Sequence, residues 1–311
     1  MVRVVVPESQ RGQRVDRALA ALWDAPLSRA EAQRWISLGA VQLDGRPADA
    51  SKKLRGGETL LVSPPPPAQT AALPDASVAF ETLYEDAHLL VLDKPPHLVV
   101  HPAPGHPDKT LVNGLLARGG FEFDDDPDAR VRPGIVHRLD KGTSGVMVVA
   151  KTAAAREGLK ARFAAHDLER AYVAVCASTP RDGTIATTHG RHPTDRLRFT
   201  ARLPAGKRAV THVRVARPLA RGAALVECTL ETGRTHQIRL HLAEIAGAPV
   251  LGDPVYGGPP RDPVLRALGE RLGRQALHAA RLGFVHPLTG EALRFETAPP
   301  ADMQALLAEL S

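Results

Sequence analysis

Aromatic residues make up only 4% of this 311-residue chain, and it carries just two cysteines, Cys176 and Cys228. No Cys-x-x-Cys pair exists, which excludes a zinc ribbon or a dithiol redox motif of that kind. Two such cysteines are expected to be free, buried thiols in a reducing compartment, and so the protein is expected in the cytoplasm. No stretch approaches the roughly 18 apolar residues of a membrane span. The apolar patch at Val4–Val6 is too short for a signal peptide, and Arg11, Arg14 and Arg17 follow it. No membrane partner is expected. No metal-ligand spacing is present either, and neither a metal nor a cofactor is expected.

The chain does have an ordinary share of apolar residues, 43%, and an excess of positive charge, +6 at a sequence pI of about 9.6. The composition is that of a globular protein. The charge favours a polyanionic partner, most simply nucleic acid, but a generally basic proteome gives the same total, so the distribution has to decide.

The clearest break is Ser63-Pro64-Pro65-Pro66-Pro67. Four prolines continue neither a helix nor a central strand, and they form a stiff, extended spacer. The reading is therefore a small domain over 12–63, a linker over 64–76 and a large domain over 77–303. In the small domain, Val15, Leu19 and Leu22 have helical spacing. Ser28 is a natural N-cap for a second helix that Gly39 stops. Asp44-Gly45 signals a hairpin turn. Arg14, Arg17, Arg29, Arg34, Lys52, Lys53 and Arg55 dominate the polar positions. Helix, helix and hairpin with basic faces resemble the S4 RNA-binding module. That resemblance implies RNA contacts by Arg14, Arg17, Arg29, Lys52 and Lys53. The plainer reading is a helical hairpin and ribbon with solvated charges.

The large domain reads as strands over 78–84, 88–92, 98–100, 134–136, 146–150, 172–177, 211–216, 223–230 and 283–286. Helices are expected over 111–118, 153–166, 239–245 and 263–272. Strands and helices do not alternate one for one, so the fold class is α+β, a mixed and mostly antiparallel sheet flanked by helices. One segment, residues 189–217, has eight basic residues and one acidic residue. With Pro193, Pro204 and Gly206 it reads as a projecting loop that grips RNA through Arg191, Arg196, Arg198, Lys207 and Arg208.

Between two apolar runs stands the polar knot HRLDKGTSG, residues 137–145. Asp140 alone is a common turn residue. The spacing fits neither a serine nucleophile elbow nor a phosphate loop. In context the stretch changes meaning. PGIVHRLDKGTSGVMVVAKT, residues 133–152, resembles the signature of the RluA-type pseudouridine synthases. Four further stretches match that family in order: DAHLLVLDKPP from Asp86, ETGRTHQIRLH from Glu231, LGDPVY from Leu251 and RQALHA from Arg274. The position after Lys141 is often Asp in that signature. Gly142 stands there, a change expected to be tolerated in a turn.

The resemblance implies the pseudouridine synthase fold over roughly 80–300 and an isomerase that breaks the C–N glycosidic bond of uridine and rejoins the uracil through carbon. It places the catalytic aspartate at Asp140, an active-site tyrosine at Tyr172 and an aspartate-pairing arginine at Arg239. These residue types suit the chemistry. A carboxylate can bond to, or stabilise positive character at, the sugar. A neighbouring arginine orients a carboxylate and favours its charged form. A tyrosine offers a ring for stacking on a flipped base. Arg138 either contacts RNA or forms a structural salt bridge. His137 is an RNA-contact candidate too, with packing as its plainer role. His236 and His241 read as structural. The HPAPGHPDKTLVN, RHPT and DPVYGG stretches resemble family members acting on large-subunit (23S) ribosomal RNA, which implies that partner and a stem-loop near the decoding region. Transfer RNA, or a non-catalytic ribosome-assembly role, remains as the alternative. A monomer is expected.

Overall fold

Apolar spacing, caps and turn residues act locally in the first part of the chain. In the computed structural model, residues 1–25, 27–65, 72–103, 105–122, 134–195 and 198–311 are described, so Pro66, Pro67 and Arg196 lie outside. The chain divides into two units, Met1–Thr70 and Ala71–Ser311. In the first, β1 (Val2–Val5) precedes α1 (Val15–Leu22), α2 (Arg29–Ser37), β2 (Val41–Leu43), β3 (Arg46–Pro47) and β4 (Thr59–Val62). The Ser28 side chain accepts a hydrogen bond from the Glu31 amide at 3.1 Å, capping α2. Asp44 and Gly45 both have positive φ, 49° and 76°, as a tight hairpin turn requires. Val15, Leu19, Trp35 and Leu60 are buried together, and Trp23 meets Trp35 edge to face at 5.1 Å. The sheet order is β1-β4-β2-β3. The edge strand β1 was not expected; its residues are mostly exposed, so it lacks the alternation that marks a half-buried strand.

The second unit runs β5 (Glu81–Glu85), β6 (Leu89–Lys94), α3 (Leu111–Arg118), β7 (Ser144–Ala150), α4 (Ala153–Ala165), β8 (Glu169–Cys176), β9 (Gly183–Arg191), β10 (Phe199–Thr200), β11 (Lys207–Pro218) and β12 (Ala224–Leu230). There follow α5 (Gln237–Leu240), a π-helical turn (His241–Ile245), α6 (Pro263–Leu272), β13 (Leu277–Val285), β14 (Ala292–Glu296) and α7 (Ala301–Glu309). One sheet is ordered β10-β9-β11-β12-β8-β13-β7-β6-β5, with β14 on β13. Every pairing is antiparallel except β13 with β7. This is the mixed, mostly antiparallel α+β sheet expected.

Several elements differ from expectation. Residues 98–100 form no strand, and 134–136 contribute a single bridge, Ile135 to Val149. Short apolar runs beside Pro and Gly are packed loops here, not ladders. β13 begins at Leu277, well before 283, because a register shift between His278 and Arg281 breaks its alternation. β9, β14 and α7 carry too many polar or small residues to stand out.

β7 explains why an apolar run follows the polar knot. It is buried on both faces. Val146, Val148 and Ala150 pack with Ala155 and Leu159 of α4. Met147 and Val149 pack with Leu111 and Leu115 of α3. A strand covered on both sides reads as a continuous apolar stretch. At its start, Gly145 has φ 117°. A Cβ there would overlap the backbone of Ala279. Glycine therefore permits the parallel contact of Ser144 and Gly145 with His278 and Ala279. Cys176 and Cys228 are free and buried. Among the described residues no helix is long and apolar enough to cross a membrane.

His241 is fully buried between Thr211 and Thr187, whose hydroxyls lie 2.9 Å from Nδ1 and 2.8 Å from Nε2. Burial, helped by His189, lowers its pKa to about 4. The folded imidazole stays neutral where the unfolded one, titrating near 6.5, is charged. Stability is thus greatest above the unfolded value and falls as pH drops from about 6.5 towards 4. Each proton taken up on unfolding contributes a slope of about 1.4 kcal/mol per pH unit. Denaturant unfolding between pH 6.5 and 4.5 is expected to show a slope that His241→Gln reduces by close to one proton; an unaltered slope overturns the assignment.

Candidate active site

The polar knot folds as a turn braced from behind. The Thr143 amide donates to the Asp140 carbonyl at 3.0 Å. Buried Arg274 donates from Nη1 to the Gly142 carbonyl at 2.9 Å, while its Nε and Nη2 grip Asp302 of α7 at 2.7 and 2.8 Å. Gln275 Nε2 donates to Thr143 Oγ1 at 3.0 Å. A Cβ at Gly142 would run into Gln275 Oε1, the end of a flexible side chain, so a larger residue requires that amide to move. On the other side, fully buried Lys94 donates from Nζ to the carbonyls of Pro95 and Leu98, at 2.8 and 2.9 Å, and more weakly to Lys141 at 3.4 Å. Burial lowers the pKa of this amine to about 7, against the attraction of Asp140.

The turn holds the Asp140 carboxylate, 18% exposed, at the edge of a cavity of about 390 Å³. Arg239, from the short helix α5, donates from Nη1 to Asp140 Oδ2 at 2.8 Å. The same guanidinium forks onto Asp253, with Nε and Nη2 at 2.7 and 2.8 Å from the two carboxylate oxygens. Asp253 also accepts the amides of Val255 and Tyr256 on Oδ1. Burial opposes the charge on Arg239, but the hydrogen bonds and attraction of Asp253, then Asp140, outweigh it and raise its pKa. The helix is fixed from below. Gln237 Nε2 donates to the Val210 carbonyl and Thr211 Oγ1, both at 3.0 Å. Its Oε1 accepts Thr232 Oγ1 and the Arg234 amide.

Tyr172 on β8 lines the same cavity. Burial raises its hydroxyl pKa, Arg170 opposes that, and Asp140 adds to it, so it remains a neutral phenol at ordinary pH. The structure thus brings Asp140, Tyr172 and Arg239 together. It also adds His236, read from sequence as structural. With φ 59°, His236 turns its Nε2 to 3.9 Å from Asp140 Oδ1, and its Nδ1 lies 2.9 Å from the Tyr256 hydroxyl. Burial lowers its pKa. Tyr256 in turn accepts the Phe199 amide at 3.0 Å and stands under the Arg239 guanidinium, 5.3 Å from ring centroid to Cζ.

Residues expected to meet RNA separate into two groups. Arg138 is exposed at the cavity, with no ion pair among the described residues. His137 instead accepts the Val148 amide on Nε2 at 3.1 Å and stacks on Phe163 at 4.7 Å. Burial, with Arg170 nearby, lowers its pKa to about 3, so it is a neutral packing residue. The basic segment is only partly a loop, since residues 207–217 belong to β11 and 189–191 to β9. Arg191 covers Phe199, Arg198 covers Tyr256, and Arg208 pairs with Glu231 at 2.8 Å. Lys207 is exposed, and Arg196 lies outside the described residues. In the first unit, Arg14, Arg29 and Gln33 converge on the fully buried Asp16 carboxylate at 2.5–3.1 Å. Burial disfavours the Asp16 charge, but these bonds outweigh it and hold its pKa well below the usual range. Arg14 and Arg29 are therefore anchored by an internal carboxylate, whereas Arg17, Lys52 and Lys53 are exposed.

Sequence reasoning named Asp140 and Arg239 from two of the matching stretches and missed their partners. Asp253 and Tyr256 both lie in LGDPVY, and His236 lies in THQIR. Asp253 is buried at 1% side-chain exposure. Its removal leaves a buried guanidinium with one carboxylate instead of two. Asp253→Ala is expected to cost about 3 kcal/mol in denaturant unfolding, with Asp253→Asn costing less; an unchanged midpoint in the alanine variant contradicts this account.

Comparison with known proteins shows the family. Residues 88–244 match the RNA pseudouridylate synthase family, and residues 26–60 match the S4 domain. The chain is 45% identical, over 99% of its length and 92% of the relative's, to ribosomal large subunit pseudouridine synthase D of Xanthomonas campestris pv. campestris. It is 44% identical to the protein of that name from Neisseria meningitidis serogroup A, over 99% of this chain and 82% of the relative. Among solved structures, human RNA pseudouridylate synthase domain containing 1 aligns with a TM-score of 0.56 at 26% identity, over 73% of this chain and 86% of that one. With its braced aspartate, the arginine that pairs it and the tyrosine facing the same cavity, this chain belongs to the RNA pseudouridylate synthase family and carries an S4 domain ahead of the catalytic unit.

Proposed function

We propose that the protein converts uridines of large-subunit ribosomal RNA to pseudouridine, with Asp140 as the catalytic carboxylate, Arg239 as its orienting partner and Tyr172 as the surface on which the flipped base stacks. The observation that carries this reading is the 2.8 Å contact from Arg239 Nη1 to Asp140 Oδ2 at the mouth of a cavity lined by Tyr172. The RNA target rests on the names of the similar proteins, which act on the large ribosomal subunit.

Asp140 is partly exposed and Arg239 is not, 18% against 4%. One carboxylate oxygen is held by the guanidinium, and the other is turned towards His236. The carboxylate can therefore meet positive character at C1′ of the ribose while its orientation stays fixed. Tyr172, neutral and half-buried, presents a flat ring and a hydroxyl to the base. The target nucleotide has to leave its helix to reach this depth, which costs least in a loop, so a stem-loop is the expected substrate element. Exposed Arg138 at the rim would take a phosphate or fill the space that the base leaves. Exposed Arg17, Lys52 and Lys53 of the S4 domain supply sequence-independent phosphate contacts.

Two experiments test the reading. Asp140→Asn is expected to abolish pseudouridine formation in a large-subunit RNA transcript, with RNA affinity kept; normal turnover would remove Asp140 from the catalytic role. Deleting residues 1–70 is expected to weaken binding of the same RNA and flatten its dependence on salt. Equal affinity and salt slope in the truncated protein would remove the S4 domain from substrate binding, and activity confined to transfer RNA would replace the proposed substrate.

A further inference from the structure

Of the two buried arginines that line the cavity, one has no counter-ion among the described residues. Arg170, on β8, is 6% exposed and lines the cavity two residues before Tyr172, on the same face of the strand. Its Nη2 donates to the carbonyl oxygens of Glu231 and Leu230, at 2.6 and 3.4 Å. Its buried Nε has no hydrogen-bond partner among the described residues. The guanidinium carbon lies 5.7 Å from the centre of the Phe163 ring. The backbone opposite is Gly233, where a Cβ would come within 2.7 Å of Nη1. Burial lowers the pKa of Arg170, opposed only in part by the Tyr172 hydroxyl, and no described carboxylate forms an ion pair with it. A buried charge without a partner costs several kcal/mol. Arg239, by contrast, spends its charge on two carboxylates, so the two buried arginines of the cavity are not equivalent.

We propose that Arg170 binds the uracil as it leaves the sugar, holding on a carbonyl oxygen the negative charge that develops there. This deepens the reading above and rests on a flipped uridine occupying the cavity. In the isomerisation, the C1′–N1 bond breaks and its electron pair stays on N1, giving a uracil anion delocalised over N1 and the two carbonyl oxygens. The carbon C5 then bonds to C1′, the C5 proton leaves, and N1 takes up a proton, so nothing is gained or lost overall. Asp140 serves the sugar side of that separation of charge and Arg170 the base side. A fixed cation in a place with little water stabilises such a charge far more than one in solvent. A backbone phosphate is the less suitable ligand, because it would have to leave solvent entirely, whereas Arg138 stands exposed at the rim.

The test uses the full-length protein and a large-subunit RNA transcript made with uridine or with 5-fluorouridine, whose electron-withdrawing fluorine stabilises the departing anion. Single-turnover loss of the N1-linked nucleoside is followed at saturating RNA, because C5 of 5-fluorouridine has no proton to lose and the final step of the uridine reaction does not apply to it. Arg170→Met is expected to lose about 100-fold in rate on uridine, with RNA affinity within about twofold, and only about tenfold on 5-fluorouridine. Arg170→Lys, which keeps the charge, recovers much of the loss. Arg170→Gln reports the same ratio of substrates if the methionine variant fails to fold. A wild-type rate in the uncharged variants, an equal deficit on both substrates, or a loss confined to affinity each overturns the proposal. A wild-type protein inactive on both transcripts overturns the reading of function itself, which the variants do not touch.

Discussion

The site depends on one guanidinium shared between two carboxylates. Arg239 is buried, and a buried arginine needs its charge and its donors answered. Asp253 answers both with a two-point contact on a carboxylate that the backbone amides of 255 and 256 also hold. The third donor is then aimed at Asp140. Asp253 is therefore the anchor and Asp140 the guest. The division matters because an arginine with Asp140 as its sole partner would move with it. Held by Asp253, it defines a fixed point against which the more exposed carboxylate is positioned. The triad still carries a surplus negative charge, and buried Lys94 is a further cation that feels Asp140.

The same logic of fixed points applies to the turn that carries Asp140. It has no regular structure of its own and is held by groups that are regular. Lys94 ends β6 and caps carbonyls on one side, and Arg274 follows α6 and reaches the Gly142 carbonyl on the other. Two glycines make room, Gly142 for Gln275 and Gly145 for the backbone of β13. The small residues of the knot thus serve its neighbours' approach, and the large polar ones serve either the cavity or the fold. Asp140 and Arg138 face the cavity; His137, whose ring stacks on Phe163, serves the fold.

Much of the fold was legible because its signals are local. Ser28, Gly39 and Asp44-Gly45 mark the S4 domain's elements by capping and turn chemistry, and the helices at Leu111–Arg118 and Pro263–Leu272 fall where apolar spacing puts them. β9 and β13 were hidden or cut short, because a polar, half-exposed strand and a strand with a register shift both lack clean alternation. In the site, Asp140 and Arg239 could be named from the matching stretches, and Tyr172 from the family resemblance. Asp253, Tyr256 and Arg170 could not, since their importance is a matter of burial and of which partner faces which, and spacing along the chain records neither. The basic residues were over-read for the same reason. A count of arginines does not show that Arg14 and Arg29 are bound to Asp16, or that Arg208 is bound to Glu231.

The bracing of the turn also has a kinetic side. Asp140 and Arg239 are 99 positions apart, and Arg274 reaches Gly142 across 132. Contacts that distant close late, because each must wait for the intervening chain to be ordered. α4 and β8 can take shape with the aspartate still unpaired and its turn still loose. The chemistry of this chain is thus an all-or-nothing property of the finished fold: a half-folded molecule holds every residue of the site and none of its geometry.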